Sequence, residues 1–233
     1  MRYHLALAIL LLALGTTAAA DNEGQVRRLR LDGPIGPMTA DVVDRAVAEA
    51  EETGSACLVI EVDTPGGLDT AMRQIVKRIL SADVPVVVYV SPGGSRAASA
   101  GAFIAIAAHV AAMAPGTNIG AAHPVQIGGA IADSTMSDKA TNDAAAYIRA
   151  LAKKRGRNPD WAEEAVRESA SITAEEALAE NVVDLVAPTL QALVDSLDGR
   201  EVEVLSGQRR IETRGRAIID IEMRLRERVL SRL

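Results

Sequence analysis

The chain has 233 residues, of which 48% are apolar and 24% are charged. This composition excludes a disordered or low-complexity protein, because it supplies enough apolar side chain to fill a core. The single cysteine excludes a disulfide framework, and a net charge of −6 argues against nucleic acid as the main partner. Three histidines without an H-E-x-x-H pattern argue against a zinc protease, so no metal is expected.

Residues 1–20 have the organisation of a secretory signal peptide. Leu5–Leu14 is an unbroken apolar run of ten residues, and the small residues of Thr16–Ala20 follow it. The run is too short to cross a bilayer, which takes about 20 apolar residues. We therefore predict cleavage after Ala20 and export of the mature chain, to the periplasm or the outer face of the cytoplasmic membrane. An uncleaved anchor or a buried N-terminal helix is the alternative.

Buried strands alternate with amphipathic helices along residues 21–199, which predicts one α/β domain. Cys57 lies inside a predicted strand and is expected to be a buried, unpaired thiol. This alternation predicts a parallel sheet with right-handed crossovers. The predicted strands are 26–31, 57–62, 85–90, 109–113 and 182–186. The predicted helices are 39–52 with Thr39 as its cap, 70–80, one from about 98, 141–155, one from 160, one from a capping box at Thr173 to about 180, and 189–197.

Two later segments depart from this alternation. Residues 128–137 are small and polar without a helical period, so we predict a mobile loop there. Residues 200–233 contain nine arginines and six acidic residues, whereas residues 21–199 contain 15 basic and 25 acidic residues. Within this basic appendage, the pattern of 201–216 predicts a small hairpin. The apolar residues of 218–233 recur at helical spacing, which indicates a helix on a membrane surface or a dimer or docking helix.

Two glycine-rich turns follow two of the predicted strands. They are Pro65-Gly66-Gly67 and Pro92-Gly93-Gly94. Chemistry gathers at the carboxyl ends of parallel strands, where free backbone amides can form an oxyanion hole, although both segments could also be plain turns. Neither segment matches a phosphate-binding loop, so nucleotide binding is set aside and no cofactor is expected.

Ser99 is the candidate nucleophile, because it lies among small residues at the predicted start of a helix. It is not in a G-x-S-x-G elbow, since the residue two before it is Ala97, and a helix-capping role is equally compatible with its position. A nucleophilic serine needs a base, and the candidates are His109, His123 and Lys139. Spacing alone does not choose among them.

Ordered motifs carry a family resemblance over about Val26 to Ala187. The chain resembles the extracytoplasmic domain of NfeD-type membrane proteases, which are stomatin-operon partner peptidases of the ClpP/crotonase fold. The resemblance implies a spiral of β-β-α units with a mostly parallel sheet and surrounding helices. The motifs are Asp63-Thr-Pro-Gly-Gly67, Ala97-Ala-Ser99-Ala-Gly101, Met113-Ala-Pro-Gly-Thr-Asn-Ile-Gly-Ala121 and Ser171-Ile-Thr-Ala-Glu-Glu-Ala-Leu178 with Val182-Val-Asp184.

The same resemblance implies a serine–lysine dyad with Ser99 as nucleophile and Lys139 as general base. The backbone amides of Gly67 and Ala100 would form the oxyanion hole. The reaction would be ATP-independent endoproteolysis of a hydrophobic segment, for example in a stomatin-like membrane protein, by a homodimer. The dyad requires a buried Lys139 amine within hydrogen-bond reach of the Ser99 hydroxyl.

Three alternatives stay open. His123 is a competing base, because it lies near where soluble Clp peptidases place their histidine. The acid of such a triad would fall close to Ser169, where this chain has no aspartate, although Glu168 is adjacent. The domain could also be a catalytically silent scaffold that binds a stomatin-like partner. An acyl-CoA enzyme of the crotonase type is a third possibility, disfavoured by the predicted export.

Overall fold

A computed structural model describes residues 24–125, residues 134–223 and Glu227. The strands in this part of the chain are β1 (Val26–Asp32), β2 (Cys57–Asp63), β3 (Val86–Val90), β4 (Arg96–Ala98), β5 (Val110–Met113), β6 (Asn118–Gly120), β7 (Ser171–Thr173), β8 (Leu185–Val186), β9 (Glu201–Val204), β10 (Gly207–Arg210) and β11 (Ile218–Asp220). The helices are α1 (Pro37–Glu52), α2 (Asp69–Leu80), α3 (Ala100–Ala107), α4 (Ser134–Lys154), α5 (Pro159–Arg167), α6 (Ala174–Ala179) and α7 (Leu190–Leu197).

The main sheet has six strands in the order β11-β1-β2-β3-β5-β8, and every neighbouring pair is parallel. The prediction of a parallel sheet with surrounding helices is therefore confirmed. The central strand β3 is buried at every position, as expected for a strand covered on both faces. Because all strands run the same way, their carboxyl ends meet at one edge, where the loops after β2 and β3 lie together.

The core is divided by this sheet into two layers. Alternate residues of β2 point to opposite faces, so Leu58 and Ile60 join one apolar cluster while Cys57 and Val59 join the other. Helices α1 to α5 cover the first face, and α7 covers the second. Cys57 is fully buried and unpaired, as predicted, and burial raises the pKa of its thiol to about 12.

A second sheet of three short strands, in the order β4-β6-β7, was not predicted from the sequence. Strand β4 pairs in parallel with β6, and β6 pairs antiparallel with β7. Strands of three residues are too short to display a period, and only their pairing partners stabilise them. This small sheet carries the backbone that leads into Ser99.

Two predicted helix starts are wrong. Helix α1 begins at Pro37 with Gly36 as its N-cap, so Thr39 lies inside the helix and its hydroxyl accepts a hydrogen bond from the Gly36 N–H at 3.3 Å. Helix α4 begins at Ser134 rather than at Thr141. The last residues of the predicted 128–137 loop are therefore helical, while 128–133 lie outside the described residues.

Of the two predictions for residues 200–233, the hairpin is confirmed and the start of the helix is corrected. Strands β9 and β10 form the predicted hairpin, with Val204 opposite Gly207. The predicted helix from Ile218 is wrong for 218–220, because these residues form β11 and pair in parallel with β1. Residues 224–226 and 228–233 lie outside the described residues, as does the predicted signal peptide 1–20.

No helix of the described ranges has the length and hydropathy needed to cross a bilayer.

The carboxyl end of α3 is held by the buried side chain of Arg157. Its guanidinium donates to the carbonyl oxygens of Ile106 at 2.5 Å and Ala108 at 3.0 Å, and to the Asp184 carboxylate at 2.5 Å. Asp184 also accepts the Ala111 N–H at 2.7 Å. The last carbonyls of a helix have no partner within the helix, so Arg157 satisfies groups that would otherwise be buried without one.

We expect Arg157→Met to lower the free energy of unfolding by about 3–5 kcal/mol, because it breaks a buried charge network and leaves helix carbonyls unpaired. Urea unfolding followed by circular dichroism measures the change. Arg149→Met is the matched control, since Arg149 pairs with Asp160 and Glu163 at the surface and should have a much smaller effect. Equal effects of the two substitutions would contradict the assigned role of Arg157.

Candidate active site

Ser99 lies at a sharp turn between β4 and α3. Its backbone has φ 51° and ψ −114°, a conformation that residues with a Cβ atom rarely adopt. The Ser99 N–H donates to the Gly120 carbonyl at 2.9 Å, which fixes the turn to β6. Although Ser99 occupies the N-cap position of α3, its side chain makes no capping hydrogen bond. The capping interpretation is therefore wrong, and Ser99 stands at a strand–turn–helix junction, the kind of position that the nucleophile of α/β hydrolases occupies.

The glycine turn after β2 packs directly against Ser99. A Cβ atom on Gly66 would lie 2.6 Å from the Ser99 Cβ, and Gly66 has φ +115°. A Cβ atom on Gly67 would lie 2.0 Å from the carbonyl oxygen of Ile35, to which this turn is bridged in parallel. Only glycine permits these two approaches, so Pro65-Gly66-Gly67 is not a plain turn.

Ser99, Gly67 and Ala100 line one pocket of about 310 Å³. Ala100 is the first residue of α3, where a helix leaves its N–H groups without internal partners. In the described part of the chain, neither the Gly67 N–H nor the Ala100 N–H donates a hydrogen bond. The remaining lining is mostly apolar and comes from Leu68, Asp69, Met72, Phe103, Ala122, Pro124, Val125 and Ala144.

Lys139 lies on α4, and its side chain is exposed. The face of α4 that packs on the core carries Ala144, Ala145 and Ile148, with Thr141 half-buried one turn before it. Lys139 is two residues before Thr141, about 200° around the helix, and therefore points away from that face. The buried Lys139 amine that the dyad requires is not found in this arrangement, and Lys139 does not line the pocket of Ser99.

His123 is half-buried but is not arranged as the base of a triad. Its Nδ1 lies 2.9 Å from the carbonyl oxygen of Val166, and because a carbonyl only accepts, Nδ1 carries the proton. A triad acid would occupy the place of this carbonyl. Glu168 is exposed, and Ser169 has no carboxylate.

His109, the third candidate base, is a buried core residue at 8% exposure. Its Nδ1 accepts the Val86 N–H at 3.1 Å. Burial, assisted by the nearby Arg155 and Arg157 charges, lowers the pKa of His109 to about 3. His109 is therefore neutral and packs beside β3, away from the pocket that contains Ser99.

The residues that form the apolar lining of the pocket were not identified from the sequence. Phe103 is the only phenylalanine of the chain, and its ring stacks on that of Tyr147 at a centroid distance of 6.0 Å. The guanidinium carbon of Arg73 also lies over the Tyr147 ring, 4.4 Å from its centroid. A rare aromatic four residues after Ser99 was the available signal.

Among the described residues, no group of three His, Cys, Asp or Glu side chains could hold a metal ion.

We expect His109 to destabilise the fold in acid. Its pKa is about 3 in the folded state and about 6.5 when unfolded, so the unfolded chain binds the extra proton between these values. The free energy of unfolding should therefore fall as the pH is lowered from about 6.5 towards 3, and His109→Gln should show a smaller fall. Urea titrations of both proteins at pH 4.5 and 7 measure the difference, and parallel pH profiles would contradict it.

Comparisons with known proteins place the chain in a family. A family model described as the N-terminal domain of NfeD1b matches residues 31–196. The membrane-bound protease PH1510 of Pyrococcus horikoshii is 39% identical over 207 residues, covering 88% of this chain and 46% of that protein. The membrane protein NfeD1b of Bacillus subtilis is 33% identical over 123 residues, covering 53% of this chain and 26% of that protein. The chain spans less than half the length of these relatives.

Solved structures of 1510-N, described as a membrane-bound stomatin-specific protease, have the same fold. A lysine-to-alanine variant in complex with a substrate peptide matches with a TM-score of 0.83 at 34% identity, covering 90% of this chain and 97% of that chain. A serine-to-alanine variant matches with a TM-score of 0.78 at 36% identity, covering 87% and 99%. The family model and these matches show that the chain belongs to the NfeD family, and that residues 31–196 correspond to the N-terminal domain of that family.

Proposed function

We propose that this domain is an ATP-independent serine endopeptidase that uses a Ser99–Lys139 dyad. The observation that carries the proposal is the pocket in which Ser99, on a strained turn, lies beside the unengaged N–H groups of Gly67 and Ala100. Two such donors next to a nucleophile are the arrangement that stabilises a tetrahedral intermediate. The description of PH1510 and 1510-N as proteases supports the same activity.

The reaction follows the usual course of acyl transfer. The neutral Lys139 amine takes the proton of the Ser99 hydroxyl as Oγ attacks the scissile carbonyl. The negative charge on the carbonyl oxygen is held by the Gly67 and Ala100 amides. The Lys139 ammonium then protonates the leaving amine, and the C–N bond breaks to give an acyl-serine ester. A water molecule, deprotonated by the same amine, hydrolyses this ester and restores the Ser99 hydroxyl.

This mechanism requires Lys139 to leave the exposed face of α4. The first residues of α4 pack little, since residues 135, 136 and 138–140 are exposed, so turning this end costs few contacts. Binding of the substrate would then place the Lys139 amine against the Ser99 hydroxyl. The existence of serine-to-alanine and lysine-to-alanine variants of 1510-N, the latter solved with a substrate peptide, supports the choice of a serine and a lysine.

The substrate is a hydrophobic segment of a membrane-associated, stomatin-like protein. The pocket beside Ser99 is mainly apolar, and large apolar side chains are exposed around it and on α4, with Leu68 at 44%, Val125 at 79% and Met136 at 58%. Exposed apolar side chains grouped around a pocket indicate a surface that contacts apolar peptide. The stomatin specificity of 1510-N supports a partner of that class.

Export, dimerisation and membrane contact complete the proposal. The segment 1–20 would direct the chain out of the cytoplasm, in keeping with a relative described as membrane-bound. The residues that follow β11 include several arginines, which would meet anionic lipid at the membrane surface. The acting form would be a homodimer.

We expect Ser99→Ala and Lys139→Ala each to reduce cleavage of a hydrophobic peptide by at least about a thousandfold, because the two residues act as a unit. Labelling by a fluorophosphonate, located by mass spectrometry, should disappear in Ser99→Ala. Lys153→Ala, an exposed lysine further along α4, and His123→Ala should retain activity.

Activity that depends on His123 but not on Lys139 would replace the dyad by a histidine base. A folded wild-type protein that neither cleaves nor labels, yet binds a stomatin-like partner, would overturn the proposed function in favour of a silent scaffold. Circular dichroism of each variant separates loss of activity from loss of folding.

A further inference from the structure

We infer that Thr64 is the positioning residue that holds both donors of the oxyanion hole in register with Ser99. This inference rests on the proposed function and adds a residue that touches neither substrate nor the reacting atoms. Thr64 follows β2 and is fully buried. It lies next to the elements that supply the nucleophile and the two amides.

The hydroxyl of Thr64 shapes the turn that carries the Gly67 amide. Its Oγ1 accepts the Gly66 N–H at 3.1 Å and donates to the Gly66 carbonyl at 3.2 Å. Both bonds are buried, so Gly66 has no water to replace them. Gly66 is the residue that packs on the Ser99 side chain and directly precedes Gly67. The hydroxyl, together with the Ile35 N–H that also donates to the Gly66 carbonyl at 2.8 Å, sets the direction in which the Gly67 N–H points.

The methyl group of Thr64 supports the helix that carries the Ala100 amide. A Cβ atom on Gly101 would lie 2.5 Å from the Thr64 Cγ2, so the first turn of α3 rests on this methyl with room for a hydrogen only. Gly101 directly follows Ala100. The hydroxyl of Thr64 thus supports the Gly67 side of the oxyanion hole, and its methyl group supports the Ala100 side.

The backbone of Thr64 ties the same residue to the strand that leads into Ser99. Its N–H donates to the Arg96 carbonyl at 2.8 Å, and its carbonyl accepts the Ala98 N–H at 3.1 Å. These bonds survive any side-chain substitution other than proline, so replacing the side chain tests its two branches alone. An oxyanion hole works only when its donors lie about 2.7–3.1 Å from the developing charge, so a small displacement of either amide reduces catalysis.

The deciding variants are Thr64→Val and Thr64→Ser. Valine keeps the shape but removes the acceptor of the Gly66 N–H, whereas serine keeps the hydroxyl and removes the methyl group. Thr213→Val is the matched control, because Thr213 is also buried and donates one hydrogen bond, to the Val194 carbonyl at 2.7 Å, far along the chain from the site. Each purified protein is assayed for kcat and KM on a hydrophobic peptide, for affinity for a peptide boronic acid, and for its thermal midpoint.

We expect Thr64→Val to lower kcat by about tenfold or more with KM nearly unchanged, since only a transition-state interaction is weakened. Its affinity for the boronic acid, which forms an anionic tetrahedral adduct with the serine, should fall by a similar factor. Thr64→Ser, which removes only the support of the Ala100 side, should lower kcat by a smaller factor of about threefold to tenfold, and Thr213→Val should be indistinguishable from wild type in both measurements.

Wild-type kcat in Thr64→Val, or equal losses in Thr64→Val and Thr213→Val, would overturn the role of Thr64 and leave the proposed function intact. If Thr64→Val does not fold, Thr64→Ala takes its place, and failure of both to fold would assign Thr64 to stability alone and overturn the inference. A folded wild-type protein without cleavage or labelling would instead overturn the proposed function, and the role of Thr64 with it.

Discussion

The geometry of the candidate site depends on one backbone constraint, the reversal of the chain at Ser99 in a conformation that a residue with a Cβ atom rarely adopts. Such a conformation persists only where the surroundings hold it from several sides. The Ser99 N–H is bound by Gly120, the glycine turn after β2 packs on its side chain, and α3 begins at the next residue. The opposite end of α3 is held by Arg157. Together these contacts hold the turn and the helix that follows it in place.

The same constraint explains why small residues surround Ser99. Gly66, Gly67 and Gly101 each stand where a Cβ atom would collide with a neighbouring element, and the colliding atoms belong to Ser99, Ile35 and Thr64. The elements therefore approach more closely than ordinary side chains permit, which brings two backbone amides and a hydroxyl into one small pocket. Stability of the turn and assembly of the pocket come from the same contacts.

Lys139, the proposed general base, is held less firmly than Ser99. Ser99 is fixed by buried contacts, whereas Lys139 lies on an exposed end of α4 whose packing begins near Thr141. A continuous helix satisfies the backbone hydrogen bonds of this end but turns Lys139 away from the pocket. The proposed dyad would thus combine a rigid nucleophile with a base that is placed only when a substrate supplies further contacts.

Apolar patterning determined much of the fold without tertiary information. The buried runs of β2 and β3, the amphipathic faces of α1 and α2, the capping box at Thr173 and the hairpin of β9 and β10 all follow from local spacing and side-chain chemistry. The three-residue strands β4, β6 and β7 did not, because their stability comes from pairing with distant segments. The helix predicted for residues 218–220 was wrong for the same reason, since a short apolar segment at helical spacing forms a strand when β1 offers a free edge.

At the candidate site, the sequence by itself determined which residue types are present, namely a serine among small residues, two glycine turns and a lysine 40 positions later. Tertiary structure decided which of them meet. It selected the first glycine turn by packing it on Ser99, withdrew His109 by burying it, and engaged His123 with a carbonyl. Closeness between segments separated in sequence depends on the packing of whole elements, and no local pattern of residues contains that information.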